Sequence, residues 1–218
     1  VLICQSGETS TTVFQNLVIR NGYAGDGGGM YNYSGSPTLN NCTFTSNSAS
    51  YYGGGMYNTS GGSPTLTECT FTNNSAGYDG GGIANYGSSP TLTDCTFTGN
   101  SADDAGGGMY NNVESSSPTL TNCTFTSNSA EKRGGGMYSE NSSTLALNNC
   151  TFTSNSADQG GGMYNSSISP TLTDCTFTGN SADEEGGGMY NLESSSPALT
   201  RCTFTENSAE YGGGMYNL

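Results

Sequence analysis

Apolar and polar positions alternate in three short phrases that return in a fixed order along the chain. The first is Thr-Leu-Thr, as at residues 65–67. The second is Cys-Thr-Phe-Thr, as at 69–72, and the third is Gly-Met-Tyr-Asn, as at 55–58. Alternation with a period of two marks a strand buried on one face only. Leu, Cys, Phe and Met therefore face inward, and the threonines and tyrosines face outward.

The phrases are copies of one repeat. Cys42, Cys69, Cys95, Cys123, Cys150, Cys175 and Cys202 lie 25 to 28 residues apart, and each opens a version of Cys-Thr-Phe-Thr-x-Asn-Ser-Ala. A variable, often acidic stretch follows. Next comes a triple glycine, which occurs eight times and uses 24 of the 34 glycines. All six prolines stand at the start of the Thr-Leu-Thr phrase. Three short strands separated by turn residues in about 26 residues make one coil, and a coil buries its apolar face only by stacking on copies of itself. Successive strands then run parallel, through connections that are almost always right-handed. The pattern predicts an all-β, single-stranded right-handed parallel β-helix (a β-solenoid) of about eight coils, with three strands each. Phe14, Leu17 and Ile19 fill the Leu, Cys and Phe slots of a degenerate first coil. Residues 1–218 read as a single solenoid domain and as a segment of a longer protein, because both ends fall inside the pattern.

Triple glycines and β-branched threonines disfavour helix. Disorder gives no reason for Leu, Cys, Phe and Met to keep register through seven copies. The repeated turn asparagines, Asn47, Asn74, Asn100, Asn128, Asn155, Asn180 and Asn207, predict an amide ladder along the axis. The triple glycine predicts either relief of crowding or a positive φ where a strand begins.

Charge narrows the function. Eighteen acidic residues against four basic ones give a net charge of −14, which opposes binding to nucleic acid or to an anionic membrane surface. No run approaches the ~20 apolar residues that span a bilayer, so direct membrane insertion of this segment is not expected. No signal peptide is visible.

The chain contains no histidine, so no His-based triad or zinc site can form. The cysteines lack the close pairs of metal sites, and in-register parallel neighbours seldom meet disulfide torsions. They read as a buried column of free thiols, with Cys4 outside it. Acidic residues occupy the variable loops (Asp103, Asp104, Asp183, Glu184, Glu185) and the slot before Cys (Glu68, Asp94, Asp174). Stacked neighbours such as Glu68 and Asp94 are candidate calcium ligands, although solvated turn acids are the plainer reading. No catalytic residue, no cofactor and no other metal is expected.

Two outward arrays are the candidate contact surface. One is threonine: Thr43 and Thr45, Thr70 and Thr72, Thr96 and Thr98, Thr124 and Thr126, Thr151 and Thr153, Thr176 and Thr178, Thr203 and Thr205. These give two columns ~6.6 Å apart, with rungs ~4.8 Å apart. The other is tyrosine: Tyr31, Tyr57, Tyr110, Tyr138, Tyr164, Tyr190 and Tyr216, interrupted at Ala84. It reads as an outward ring ladder able to stack on sugars or on another protein.

At Phe44-Thr-Ser-Asn47, Phe71-Thr-Asn-Asn74 and Phe97-Thr-Gly-Asn100, each followed by Gly-Gly-Gly-Met or Gly-Gly-Gly-Ile, the chain resembles the Phe-x-x-Asn and Gly-Gly-x-aliphatic repeats of polymorphic outer membrane proteins and related bacterial surface β-helix proteins. The resemblance covers the chain from about Thr12 onward. It implies an extracellular, cell-surface passenger or stalk of bacterial origin, often adhesive, without the membrane barrel of that family. The leading expectation is a non-enzymatic structural or adhesive rod that contacts further copies, other surface proteins or glycans and can stack end to end into filaments. The Thr-x-Thr face also resembles the ice-binding face of β-solenoid antifreeze proteins, which makes ice binding the alternative. Polysaccharide processing, known in other β-helices, stands third. The Asn-x-Ser/Thr triplets at Asn32, Asn58 and Asn141 are formal glycan acceptors, with no modification expected on a bacterial protein.

Overall fold

Thr91–Thr93, Thr96–Thr98, Ser101–Ala102 and Met109–Asn112 make one coil, and the same four strands recur along the chain. The computed structural model describes residues 1–5, 7–112, 116–141 and 144–218. Among these residues there is no helix. The strands form four parallel sheets: a Met sheet of nine strands, a Leu sheet and a Phe sheet of eight each, and a Ser-Ala sheet of seven. Equivalent residues pair one coil apart, Leu66 with Leu92, Phe71 with Phe97 and Met137 with Met163.

The expected β-solenoid of about eight coils is therefore present, with one correction. The sequence pattern predicts three strands per coil, and most coils have a fourth. It is usually only the two residues Ser-Ala, as at Ser75–Ala76, too short for a period to show. Its alanine points inward, and Ala49, Ala76 and Ala102 are buried.

Leu, Cys, Phe and Met fill the interior. Phe97 and Phe125 are 0% exposed. The six neighbouring phenylalanine pairs from Phe44 to Phe204 have centroids 4.6–5.0 Å apart and planes within 3–6° of parallel. Full burial of each ring from Phe44 to Phe177 stabilises the fold by about 1.5–3 kcal/mol. In the first coil Phe14 and Ile19 pair with Leu39 and Phe44 as expected, while Leu17 in the Cys slot is 40% exposed.

Single residues in the left-handed conformation turn one strand into the next. Before each cysteine of the column from Cys42 to Cys202 stands such a residue, from Asn41 (φ 50) through Asp94 (φ 55) to Arg201 (φ 52). Asn and Asp tolerate this region best after glycine, which accounts for the Asn and Asp in this slot on backbone grounds alone.

The three glycines have different reasons. Gly106 has φ +67; a methyl on Gly107 would run into the Ser129 carbonyl; a methyl on Gly108 would lie 2.5 Å from the Gly136 oxygen and 2.8 Å from Phe125. Positive φ and crowding, the two expected explanations, both operate, at successive positions.

The turn asparagines form the expected ladder. Asn128 Nδ2 donates to the Phe97 carbonyl at 3.1 Å and to Asn155 Oδ1 at 3.0 Å. Its Oδ1 accepts from the backbone N–H and the Nδ2 of Asn100 at 3.1 and 2.9 Å. Each amide is thus satisfied in a dry interior, where an unpaired one would cost about 1–3 kcal/mol.

Candidate contact faces

The threonine columns lie on the outside of the Phe sheet. In every strand from Thr43–Thr45 to Thr176–Thr178 both threonines are partly exposed around a buried phenylalanine, and in Thr203–Thr205 both are exposed. Threonine pairs with threonine at each of the six steps.

The tyrosine column is placed differently from the sequence reading. Its rings do point away from the main core, but Tyr110, Tyr138, Tyr164 and Tyr190 are only 2–5% exposed. They form a second apolar cluster with Ala84 and Ala105, and Tyr52, Tyr57, Tyr86, Leu192 and Tyr216 pack against it. The guanidinium of Arg133 sits 5.4 Å from the Tyr138 ring centre. A bound sugar could not stack on these four rings, and Tyr31, Tyr57 and Tyr216 are themselves only partly exposed. Sequence alternation tells in from out relative to one sheet. It does not show that loop residues will cover the outer face.

The gap at Ala84 is repaired from two residues away. Tyr86 swings into it, with ring centres 5.5 Å from Tyr57 and 5.4 Å from Tyr110. Its hydroxyl donates to Asp79 Oδ2 at 3.0 Å. Tyr110 and Tyr138 donate to the two oxygens of Glu140 at 3.1 and 2.8 Å.

Burial pushes the Asp79 carboxyl up to about 6, against the lowering effect of the Tyr86 hydrogen bond. An acid with a raised folded-state pKa binds more protons folded than unfolded. Its contribution therefore declines as pH rises from about 4 to about 6 and is constant above. Asp79→Asn, which keeps an acceptor for Tyr86, is expected to be more stable than the parent at pH 7 by up to about 2 kcal/mol. The difference should shrink toward zero at pH 4 in urea titrations at the two pH values.

A second amide ladder runs inside the Met sheet, and the sequence reading passed over it. The asparagine of Met-Tyr-Asn turns inward by the same alternation that places Met inward. Asn32, Asn58, Asn85 and Asn111 are linked Nδ2 to Oδ1 at 2.8–3.0 Å, as are Asn165, Asn191 and Asn217 at 2.8 Å. Ser139 interrupts the ladder: it accepts from Asn111 at 3.0 Å and leaves the buried Asn165 Oδ1 without a hydrogen bond. Ser139→Asn is expected to close the gap and raise the unfolding free energy by about 1 kcal/mol, seen as a higher urea midpoint. No change or a decrease would show that the pocket at Ser139 cannot take an amide.

The thiols of the column, Cys42 to Cys202, are free and donate to backbone carbonyls, Cys123 to Thr121 at 3.4 Å for example. Cys4 is buried at the head of the inner amide ladder, paired with Asn32. Burial and the nearby Glu8 push its thiol up to about 11.

The acidic slots are dispersed. Asp94 accepts from Asn122 at 2.9 Å, and Asp174 is held by Arg201 at 2.6 and 2.7 Å. Asp104 pairs with Arg133 at 3.1 Å and Lys132 at 3.5 Å. Among the described residues no group of three or more carboxylates and thiols is arranged to hold a metal ion. Two open hollows, of about 480 and 340 Å³, share Asp158 and are otherwise lined by residues including Glu131, Asp183, Lys132 and Glu184. Asn32 and Asn58 are 0% exposed within the inner ladder, which bars glycan attachment there. The triplet at Asn141 runs into residues 142–143, outside the described residues.

Comparison with known proteins bears on this architecture. A family described as right handed beta helix region matches residues 2–177. A second, the Chlamydia polymorphic membrane protein repeat, matches residues 174–191, one copy from Asp174 through the Met-Tyr-Asn phrase. No curated protein matches. Among solved structures, the crystal structure of pectate lyase Pel9A is similar with a TM-score of 0.44 and 15% identity, over 85% of this chain and 51% of that one. The chain thus spans about half the length of that enzyme. With four parallel sheets in register and a family match over most of its length, the chain belongs to the right-handed β-helix family.

Proposed function

We propose that the chain is a non-enzymatic β-helix of the bacterial outer surface, a stiff rod that presents its threonine face to glycans or other surface proteins. The observation that carries this reading is the pair of threonine columns on the Phe sheet, unbroken and in register through six steps. A regular lattice of hydroxyls and methyls suits contact with an extended partner. The likeness of residues 174–191 to a Chlamydia polymorphic membrane protein repeat supports a surface location. The test is binding of purified chain to a printed glycan array and to cultured animal cells. Thr124→Lys/Thr126→Lys, two outward changes expected to alter stability by little, should abolish binding with the fold intact. Undiminished binding by the variant would refute the use of this face.

The same threonine face favours one second reading, ice binding, because rungs ~4.8 Å apart and columns ~6.6 Å apart form a regular grid able to order water. Thermal hysteresis in the parent chain that is lost in the double variant would establish it, and its absence in the parent would reject it.

A further inference from the structure

Eleven of the fourteen tyrosines form one continuous ring network, with every neighbouring pair of centroids 4.8–6.0 Å apart. From Tyr216 it follows the buried column rung by rung to Tyr110 and bridges the Ala84 gap through Tyr86. It then leaves the column sideways. Tyr86 meets Tyr52 at 4.9 Å, Tyr52 meets Tyr78 at 5.8 Å, and Tyr78 stacks on Tyr51 at 5.6 Å. Tyr51 and Tyr78 are each 49% exposed, so the file, buried from Tyr110 to Tyr190, opens onto solvent at a defined place.

We propose that this file conducts oxidising equivalents along the rod, from a one-electron oxidant near Tyr216 to the exposed Tyr51–Tyr78 pair. Phenol is the most readily oxidised aromatic side chain in a protein without tryptophan. Losing an electron makes its proton strongly acidic, so a buried phenol transfers charge well only with a proton acceptor in contact. The middle of the file has them: Glu140 accepts from both Tyr110 and Tyr138, and Asp79 accepts from Tyr86. Burial raises the pKa of all three phenols, which keeps them protonated until the electron leaves. In each step one electron passes from a ring to the neighbouring phenoxyl radical. At Tyr86, Tyr110 and Tyr138 the newly oxidised ring gives its proton to Asp79 or Glu140 and takes it back on reduction; at the other rings, whose hydroxyls are not sealed from water, the proton goes to solvent and returns from it. Nothing is consumed but the oxidant. Each column tyrosine is the chain neighbour of a residue in the Met column, so the file runs beside the sulfur-rich core and offers a path that ends away from it.

The test places the oxidant at one end and reads the other. A ruthenium tris-bipyridine label is attached to Leu218→Cys in a Cys202→Ala background, where the remaining thiols are buried. Light with a pentaamminecobalt(III) quencher makes ruthenium(III), which takes one electron from the nearest tyrosine. A nitroso spin trap in solution captures the arriving radical as a covalent adduct, mapped by peptide mass spectrometry. Adducts on Tyr51 or Tyr78 are expected. They should be lost in Tyr138→Phe, which preserves ring packing and removes the oxidisable hydroxyl, and reduced in Glu140→Gln, which removes the proton acceptor. Adducts confined to the labelled end in the parent, or undiminished at Tyr51 and Tyr78 in Tyr138→Phe, would overturn the proposal. Circular dichroism of each variant confirms that the rod is intact.

Discussion

Phe125→Ala is expected to lower the unfolding free energy by about 3–5 kcal/mol, among the largest effects of any single side-chain truncation in this chain. The ring is 0% exposed and stacks on Phe97 at 4.6 Å and Phe152 at 4.7 Å. Alanine leaves a gap that the neighbours cannot fill without breaking strand pairing on both sides. In a quasi-one-dimensional stack the loss sits at one pair of interfaces, so position matters. Phe204→Ala, in the partly buried last rung, should cost clearly less. Urea unfolding of the two variants checks this. The central one should also broaden the transition, because two half-rods need no longer melt together. A loss below about 1 kcal/mol at Phe125, the level of an ordinary substitution, would mean that the phenylalanine column does not hold the rod together.

Gly107→Ala is expected to be about as damaging, by the opposite route. Its new methyl would collide with the Ser129 carbonyl and lie 2.6 Å from the Gly135 oxygen. Both are backbone atoms of the next coil, fixed by the hydrogen bonds that define the stack, Gly107 N–H to Gly134 O at 3.2 Å among them. Overpacking costs about 1–3 kcal/mol where side chains can give way. Here the backbone must move, and the upper end or more is expected. Gly61→Ala is the control. Gly61 has φ +80 and nothing within 4 Å, so alanine meets only the left-handed penalty of about 1–2 kcal/mol. Thermal melts should place the Gly107 variant well below the Gly61 variant. Equal melting temperatures would remove close coil approach as the reason for the glycines.

The columns were legible in the sequence because each depends on one residue repeated at one register. Leu, Cys, Phe and Met declare themselves by period, and so do the outward threonines and the turn asparagines. Three features were not legible, for different reasons. The Ser-Ala strand is too short for alternation to be seen. The inner amide ladder was available, since Asn follows Tyr in nearly every Met-Tyr-Asn phrase, but a polar residue in a strand is readily read as outward. The covering of the tyrosines is not repeated at all. It depends on residues such as Tyr52, Tyr86 and Arg133, at positions whose residue type changes from coil to coil, and period carries little information about those. The Glu68, Asp94 and Asp174 slot shows the converse. It has the look of a carboxylate array, yet its common property is a left-handed turn, with φ of 54–55 at all three.

Everything above depends on equivalent residues lying one strand spacing apart along a straight axis. The most direct measurement is the distance between spin labels on outward threonine rungs of one column, introduced as Thr43→Cys/Thr124→Cys and Thr43→Cys/Thr203→Cys on a Cys202→Ala background. Three and six rungs at ~4.8 Å give backbone separations of ~14 and ~29 Å, so electron spin resonance should return narrow distributions that double from one pair to the other. Broad distributions, or a second distance that does not scale with the first, would contradict the stacked coil.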